Sequence, residues 1–433
     1  MGRSDFVQKS AIRKEITHMF AGIRASLPRG TFALAAVRFM LYLGVQASYF
    51  IGIIGTLTYQ LHAGTGDIAM AVGLFNLFII AGNTAGGSLL DTRGPRAHTA
   101  VALGVAVVSS ALFQAAGGSV AAVLAMSAAF GFATGVGYAY LSAYPAYLSD
   151  DAEQRKRMNA IMSVVSNVAV VVGPAVGGII ATFLPSQRVF AFTSVLSALV
   201  LVPAGALLRR IGASARAGER ERGDSQGPEG STLADSARAV FAAPSLALLF
   251  WVGVLAYAGY GAFDPLESLY YRDVLQVDIS WMGWLSSAAG LGSVVGALAA
   301  MRVPRRWVNV RTLMLLIAFE GAACVLYVGT SHVGCAIAGQ LLLGCAFGMV
   351  TPLQHTLVQM HAPLHLLGRV NSVMNAGFSG AGAVPLFAAP VLAHLFGVQG
   401  VLIGASCVVL LVPLIVMVAR RSEISHLVTG ESA

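Results

Sequence analysis

The sequence predicts an all-α membrane protein with twelve transmembrane helices arranged as two pseudo-repeated bundles of six. Three observations predict it. Of 433 residues, 57% are apolar and only 11% charged, with a mean hydropathy of +0.76; soluble domains carry about 25% charged residues. The apolar residues fall into runs of bilayer length. The gaps between runs hold nearly all the basic residues on alternate sides, as a positive-inside topology requires.

The elements follow in order. Residues 1–29 hold six basic residues and no continuous apolar core, so no signal peptide is expected. Ile12, Ile16, Phe20, Ile23 and Leu27 recur at helical spacing, with Lys9, Arg13, Lys14 and Arg24 between them. That pattern predicts an amphipathic helix on the cytoplasmic lipid surface over residues 1–30. Apolar runs then predict spans at 36–60, 67–90, 98–117, 119–148, 159–183 and 188–208. A Gly-, Ser-, Glu- and Arg-containing stretch follows and reads as a flexible charged linker over 209–240. Six more spans are expected at 245–270, 280–301, 311–330, 333–360, 370–395 and 398–419. The expected organisation is therefore a bundle over 31–208, the linker, a second bundle over 241–420, and a tail over 421–433.

With the N-terminus placed inside, 24 of the 27 Lys and Arg residues fall in cytoplasmic segments. Arg188 and Arg272 fall outside, and Arg38 lies near or within the first helix. Both termini are thus expected in the cytoplasm. The same positions explain the net charge of +8 without nucleic acid as a partner. Cys324, Cys335, Cys345 and Cys407 lie in or beside apolar runs with no metal-ligand spacing, so packing is their expected role and no metal is expected.

The halves repeat in sequence. Arg157-Met158-Asn159-Ala160-Ile161-Met162 opens the fifth span, and Arg369-Val370-Asn371-Ser372-Val373-Met374 opens the eleventh, 212 residues later. Ile179-Ile180-Ala181 and Val391-Leu392-Ala393 match at the same offset. Parallel halves of this kind place a site between them.

After the second span the chain reads Gly87-Ser88-Leu89-Leu90-Asp91-Thr92-Arg93-Gly94-Pro95-Arg96. The Gly-x-Leu-x-Asp-x-x-Gly-x-Arg pattern resembles the loop-2/3 signature of the major facilitator superfamily, with Pro95 where a basic residue is usual and Thr92 in place of a common Arg. The second half keeps Gly296 and a basic cluster but has Ala300 in place of the acid. In the fifth span, Gly173-Pro174-Ala175-Val176-Gly177-Gly178 resembles the Gly-Pro-x-x-Gly-Gly motif of that superfamily's antiporter branches, without its upstream glycines. Read from the residues alone, Gly173 and Gly177 make a small-xxx-small packing face and Pro174 removes a backbone donor. The likeness covers about residues 30–420. Within the superfamily it is nearest to bacterial drug and siderophore exporters, through Leu41-Tyr42-Leu43-Gly44-Val45-Gln46 and Gly368-Arg369-Val370-Asn371.

The resemblance implies the major facilitator fold and an inner gate built from Gly87, Asp91, Gly94, Arg96 and Asp150 or Asp151. It also implies a cavity lined by the first, fourth, seventh and tenth helices. Those spans do carry polar stripes at helical spacing: Arg38, Tyr42, Gln46 and Tyr49; Thr134, Tyr140, Tyr144 and Tyr147; Tyr257, Tyr260, Asp264, Glu267 and Tyr271; and Gln340, Thr351 and Gln354, with His355 beside them. The expected substrate-binding residues are Tyr42, Gln46, Tyr49, Tyr140, Tyr144, Tyr257, Tyr260, Gln340, Thr351 and Gln354. Proton coupling is expected among Asp264, Glu267, Glu320, His355 and Arg38, with Glu320 singled out as a mid-span acid.

Such a cavity suits amphipathic, including cationic, organic molecules. The resemblance implies efflux of a small molecule by proton antiport across the bacterial cytoplasmic membrane. Secondary import or facilitated passage of a metabolite on the same fold is the alternative. No nucleophile–base pair and no phosphate-binding loop is present, so an enzyme or an ATP-driven pump is not expected. Small-molecule cargo, protons and lipid are the expected partners of a monomer without a cofactor.

Overall fold

The computed structural model describes residues 27–116, 118–138, 140, 143–149, 151–218, 238, 240–362, 367–422 and 424. Most of the expected N-terminal surface helix, linker and tail, together with Asp150, lies outside the described residues. Those described are helical wherever they form regular structure.

Among the described residues, ten helices are long and apolar enough to cross a membrane. Two of them, Thr65–Ala116 and Leu367–Ala419, are pairs of spans joined across one glycine in a non-helical conformation. Gly94 has φ 77° and Gly397 φ 73°, a region costly for any residue with a Cβ. Counting each pair as two gives twelve passages.

In chain order, α1 is Thr31–Ala47, continued by the wider π-wound Ser48–Gln60. Residues 65–93 form α2 and 95–116 form α3. Val120–Gly137 is α4, Ala152–Phe183 is α5, and α6 comprises Val189–Leu199 with Leu201–Gly218. In the second half α7 comprises Pro244–Gly261, Phe263–Leu269 and the π-wound Tyr270–Val274. Ser280–Ala300 is α8, Val310–Val328 is α9 and Val333–His361 is α10. Residues 367–396 and 398–419 are α11 and α12. The fourth span is shorter than its apolar run suggests: α4 ends at Gly137, and Tyr144–Leu148 forms a separate turn of helix with Pro145 in its first turn.

The structure adds a repeat that the sequence hides. Both α1 and α7 end in π turns closed by a left-handed non-glycine residue, His62 at φ 47° and Gln276 at φ 54°, 214 residues apart. Leu61 N–H donates to the Thr56 carbonyl and Leu275 N–H to the Tyr270 carbonyl, each at 3.0 Å. Apart from Leu61 and Leu275 the residue types differ, but the backbone does the same thing twice.

Close backbone approach joins the halves. A Cβ on Gly178 would lie 2.9 Å from the Ser280 carbonyl and 3.1 Å from the Gly283 Cα, so α5 and α8 touch main chain to main chain. Small residues permit this, and dispersion rather than the hydrophobic effect drives it within lipid. The Thr58 and Ser268 hydroxyls are 2.7 Å apart, and Arg272 Nη1 donates to the Thr58 carbonyl at 2.7 Å. Gly73 of α2 faces the ring of Phe387 of α11. These contacts lie toward the membrane face opposite Arg93, Arg96, Arg302 and Arg306, called here the far side; the other is the Arg-rich side.

Candidate functional site

Where the halves meet, α1 lies on one side and α7 on the other. On α1, Tyr49 is half-buried and stacks on Phe75 of α2, with centroids 4.3 Å apart. Across from it Asp264 is an electrostatic neighbour of both Tyr49 and Glu267. Exposed itself, it thus couples electrostatically to Tyr49 of one half and to Glu267 of its own.

Glu267, one turn further along α7, is bound differently. Its Oε1 accepts from Tyr271 at 2.9 Å, from Tyr327 of α9 at 2.6 Å and from Gln340 Nε2 of α10 at 3.0 Å. Three donors on three helices satisfy this oxygen without a cation. Gln340, expected to bind substrate, is 3% exposed and is instead part of this knot.

Glu320 is 1% exposed, on the inner face of α9. It faces Tyr260 and Cys324, yet Glu320 Oε1 and Tyr260 Oη are both buried without a hydrogen-bond partner of normal geometry. Tyr257 is 39% exposed and stacks on Phe378 of α11 at 5.1 Å.

Two expected wall residues are corrected. Tyr140 and Tyr144 are fully buried inside the first half. The Tyr144 hydroxyl lies 2.9 Å from His98 Nδ1 and 3.0 Å from Thr99 Oγ1, and donates to the Pro95 carbonyl at 3.1 Å. His98 Nε2 donates to the Val136 carbonyl at 3.0 Å. These groups brace α3 against the end of α4. They point inward because helix α4 stops at Gly137, which breaks the helical phase that placed them on Thr134's face.

Arg38, expected on the polar stripe of α1 and in proton coupling, is 5% exposed, with Nε donating to Ser166 of α5 at 3.0 Å. Its guanidinium lies 4.0 Å from the Tyr42 ring centroid and 5.6 Å from that of Tyr138. Gln46 is half-buried, its Cβ close to Gly173. On α10, Thr351 is half-buried, His355 exposed, and Gln354 buried against Gly253 of α7.

Of the expected inner gate, Asp91 and Arg96 do not pair with each other among the described residues. Both are exposed. A Cβ at Gly87 or Gly94 would meet nothing within 4 Å. Asp151 is exposed, its N–H donating to Ser149 Oγ. By contrast the Gly173 and Gly177 face is in use. A Cβ there would lie 2.6 Å from Gln46 Cβ and 2.8 Å from Ile51 Cγ1, so α5 lies against α1 on one side and α8 on the other. Pro174 is buried within the continuous helix.

Sequence reasoning missed Tyr327, Tyr138 and Ser166. For Tyr327 a signal existed: Glu320, Cys324 and Tyr327 stand at steps of four and three, one face of α9.

The family model described as Major Facilitator Superfamily matches residues 34–385 and 249–431. The chain belongs to the major facilitator superfamily. It is therefore a membrane transporter of small molecules and not an enzyme. It is similar to the multidrug efflux pump Tap of Mycobacterium tuberculosis, 25% identical over 363 residues, which covers 79% of this chain and 82% of that one. The Tap pump of Mycolicibacterium fortuitum is 25% identical over 276 residues, covering 61% and 63%. Among solved structures, a POT family transporter in complex with a thioalcohol-conjugated peptide superposes with TM-score 0.69 at 12% identity, covering 93% of this chain and 99% of that one. The nucleoside transporter NupG superposes with TM-score 0.64 at 10% identity, covering 90% and 99%. At these identities the structures attest the fold.

Proposed function

We propose that this protein exports a small amphipathic organic molecule by alternating access, driven by proton antiport. On this reading it is a monomer in the bacterial cytoplasmic membrane with both termini in the cytoplasm. The Arg-rich side is then cytoplasmic, and the central space is entered from there. The far-side contacts of α1 with α7 and α5 with α8 close the outer mouth, and the unpaired Asp91 and Arg96 belong to the cytoplasm-facing state. Tyr42, Gln46, Tyr49, Tyr257, Tyr260, Thr351 and Gln354 would meet the cargo.

The observation that carries the reading is Asp264. Among the described residues it is a carboxylate without a cation partner, with Tyr49 of the other half as an electrostatic neighbour. An exposed, unpaired carboxylate on a membrane-spanning helix is free to take up and release a proton. Proton and cargo can therefore alternate at Asp264 as the space opens to each side in turn. The efflux direction rests on the Tap relatives, which are named as multidrug efflux pumps.

Everted vesicles containing the protein test this. An imposed pH gradient, acid inside, should drive uptake of amphipathic dyes, and Asp264→Asn should abolish that uptake while leaving dye exchange without a gradient. Gradient-driven uptake that survives in Asp264→Asn, or never occurs in the wild type, refutes the reading.

A further inference from the structure

Inside the first half, α1, α3, α4 and α6 leave a cavity of about 30 Å³. Its polar wall residues are Arg38, Tyr42, Thr134, Thr193 and Ser197, and no acid lines it. Two of the hydroxyls are spent within the protein. Thr134 donates to the Phe130 carbonyl at 2.8 Å and Thr193 to the Gly44 carbonyl at 3.0 Å. Ser197 is 2% exposed, and its hydroxyl has no hydrogen-bond partner among the described residues.

Arg38 brings a charge to this wall, and the protein supplies no counter-charge. Its side chain is 5% exposed, and no carboxylate pairs with it among the described residues. A guanidinium has five N–H donors. The one on Nε goes to Ser166 at 3.0 Å, and those on Nη have no protein acceptor among the described residues. The Tyr42 and Tyr138 rings offset part of the cost of burying the charge but do not neutralise it.

Size and charge together select the occupant. A water takes roughly 10–15 Å³ on this measure and a chloride ion about twice that, so one monatomic anion fills the space. It neutralises one guanidinium and accepts from Arg38 and Ser197 at once. Two waters would fill the same volume but leave a bare cation in a low-dielectric interior. Acetate and phosphate exceed the space. We propose that Arg38 and Ser197 form a binding site for a halide ion, chloride foremost, as the resident counter-ion of the first half. Such a site depends neither on the direction of transport nor on Asp264.

Binding can be measured without transport. The purified full chain in detergent is unfolded thermally in sodium chloride, bromide or gluconate at matched ionic strength. Chloride and bromide should raise the midpoint saturably over gluconate, as ligands of the folded state do, because gluconate is too large to enter. Arg38→Gln should lose the difference. Ala133→Val, which fills the cavity and keeps the cation, should lose it as well. Ser197→Ala removes one donor to an ion and should weaken chloride binding about tenfold. Equal wild-type midpoints in chloride and gluconate overturn the proposal, as does a chloride effect that survives unchanged in Arg38→Gln or in Ala133→Val. Should those two variants not fold, undiminished chloride affinity in Ser197→Ala overturns it. Gradient-driven dye uptake in vesicles, whichever way it comes out, bears only on the export reading.

Discussion

The two halves follow the same chain path but hold opposite charges. Inside the first half the buried ion is Arg38, and the polar knot around Tyr144 is built from neutral groups, His98, Thr99 and backbone carbonyls. In the second half the acids Asp264, Glu267 and Glu320 lie on α7 and α9, and the corresponding knot is centred on a carboxylate oxygen. Backbone events are repeated faithfully, down to left-handed residues at His62 and Gln276, whereas the charges are not. The difference shows what the fold depends on. Glycine-mediated main-chain contact and apolar packing hold the helices, so polar groups in each half are free to diverge toward separate tasks.

If that is right, the largest effect comes from breaking a main-chain contact. A Cβ at Gly283 would meet the Pro174 carbonyl and lie 3.0 Å from the Gly178 Cα. Backbone cannot move aside as a side-chain tip can. Gly283→Leu should cost about 3 kcal/mol or more of stability, read as a lower thermal midpoint of the purified protein. Gly104→Leu is the control, since a Cβ there meets nothing within 4 Å. It should stay within about 1 kcal/mol of the wild type or gain slightly. Similar losses at both positions would break the claim that main-chain contact joins the halves.

A middle-sized effect separates the two knots. Tyr327→Phe removes a 2.6 Å hydrogen bond to Glu267. A hydrogen bond to a buried carboxyl contributes about 1–3 kcal/mol. Tyr144→Phe removes neutral partners from His98 and Thr99, at about 1–2 kcal/mol. Only Tyr327→Phe should alter the pH profile of dye uptake in vesicles, because only that knot holds an acid. A changed profile in Tyr144→Phe would mean that the first half takes part in coupling as well.

Much of this was legible in the sequence. Twelve apolar runs and alternating basic gaps predict the helices because lipid demands both, residue by residue. The packing face of Gly173 and Gly177 was legible because small residues at that spacing have few other uses. Tyr140 and Tyr144 were misread because helical phase holds only while the helix lasts; Gly135 and Gly137 stand just before Tyr140, but glycine recurs throughout these spans and did not mark the end of α4 by itself. The knot around Glu267 could not be read at all as a unit, since Tyr271, Tyr327 and Gln340 meet only after three helices pack.

The smallest effect tests the far-side closure, where the repeated ends of α1 and α7 meet. At the 214-residue offset Thr58 is the counterpart of Arg272, so the contact joins equivalent positions of the two halves. The Arg272 fork is held by Asp273, Nε to Oδ1 at 2.6 Å and Nη2 to Oδ2 at 3.0 Å, leaving Nη1 for the Thr58 carbonyl. An ion pair this exposed adds little by itself, so what Arg272 contributes is one oriented hydrogen bond across the halves. That is about 0.5–1.5 kcal/mol, or about two- to tenfold in the balance between closed and open. With the native cysteines replaced, Tyr49→Cys reports opening through its rate of modification by a membrane-impermeant thiol reagent applied from the far side. Adding Arg272→Ala should raise that rate by about two- to tenfold. Arg272→Lys retains a donor and should raise it less. An unchanged rate in Arg272→Ala would mean that the α5–α8 main-chain contact closes the far side alone, with the paired ends of α1 and α7 merely resting on it.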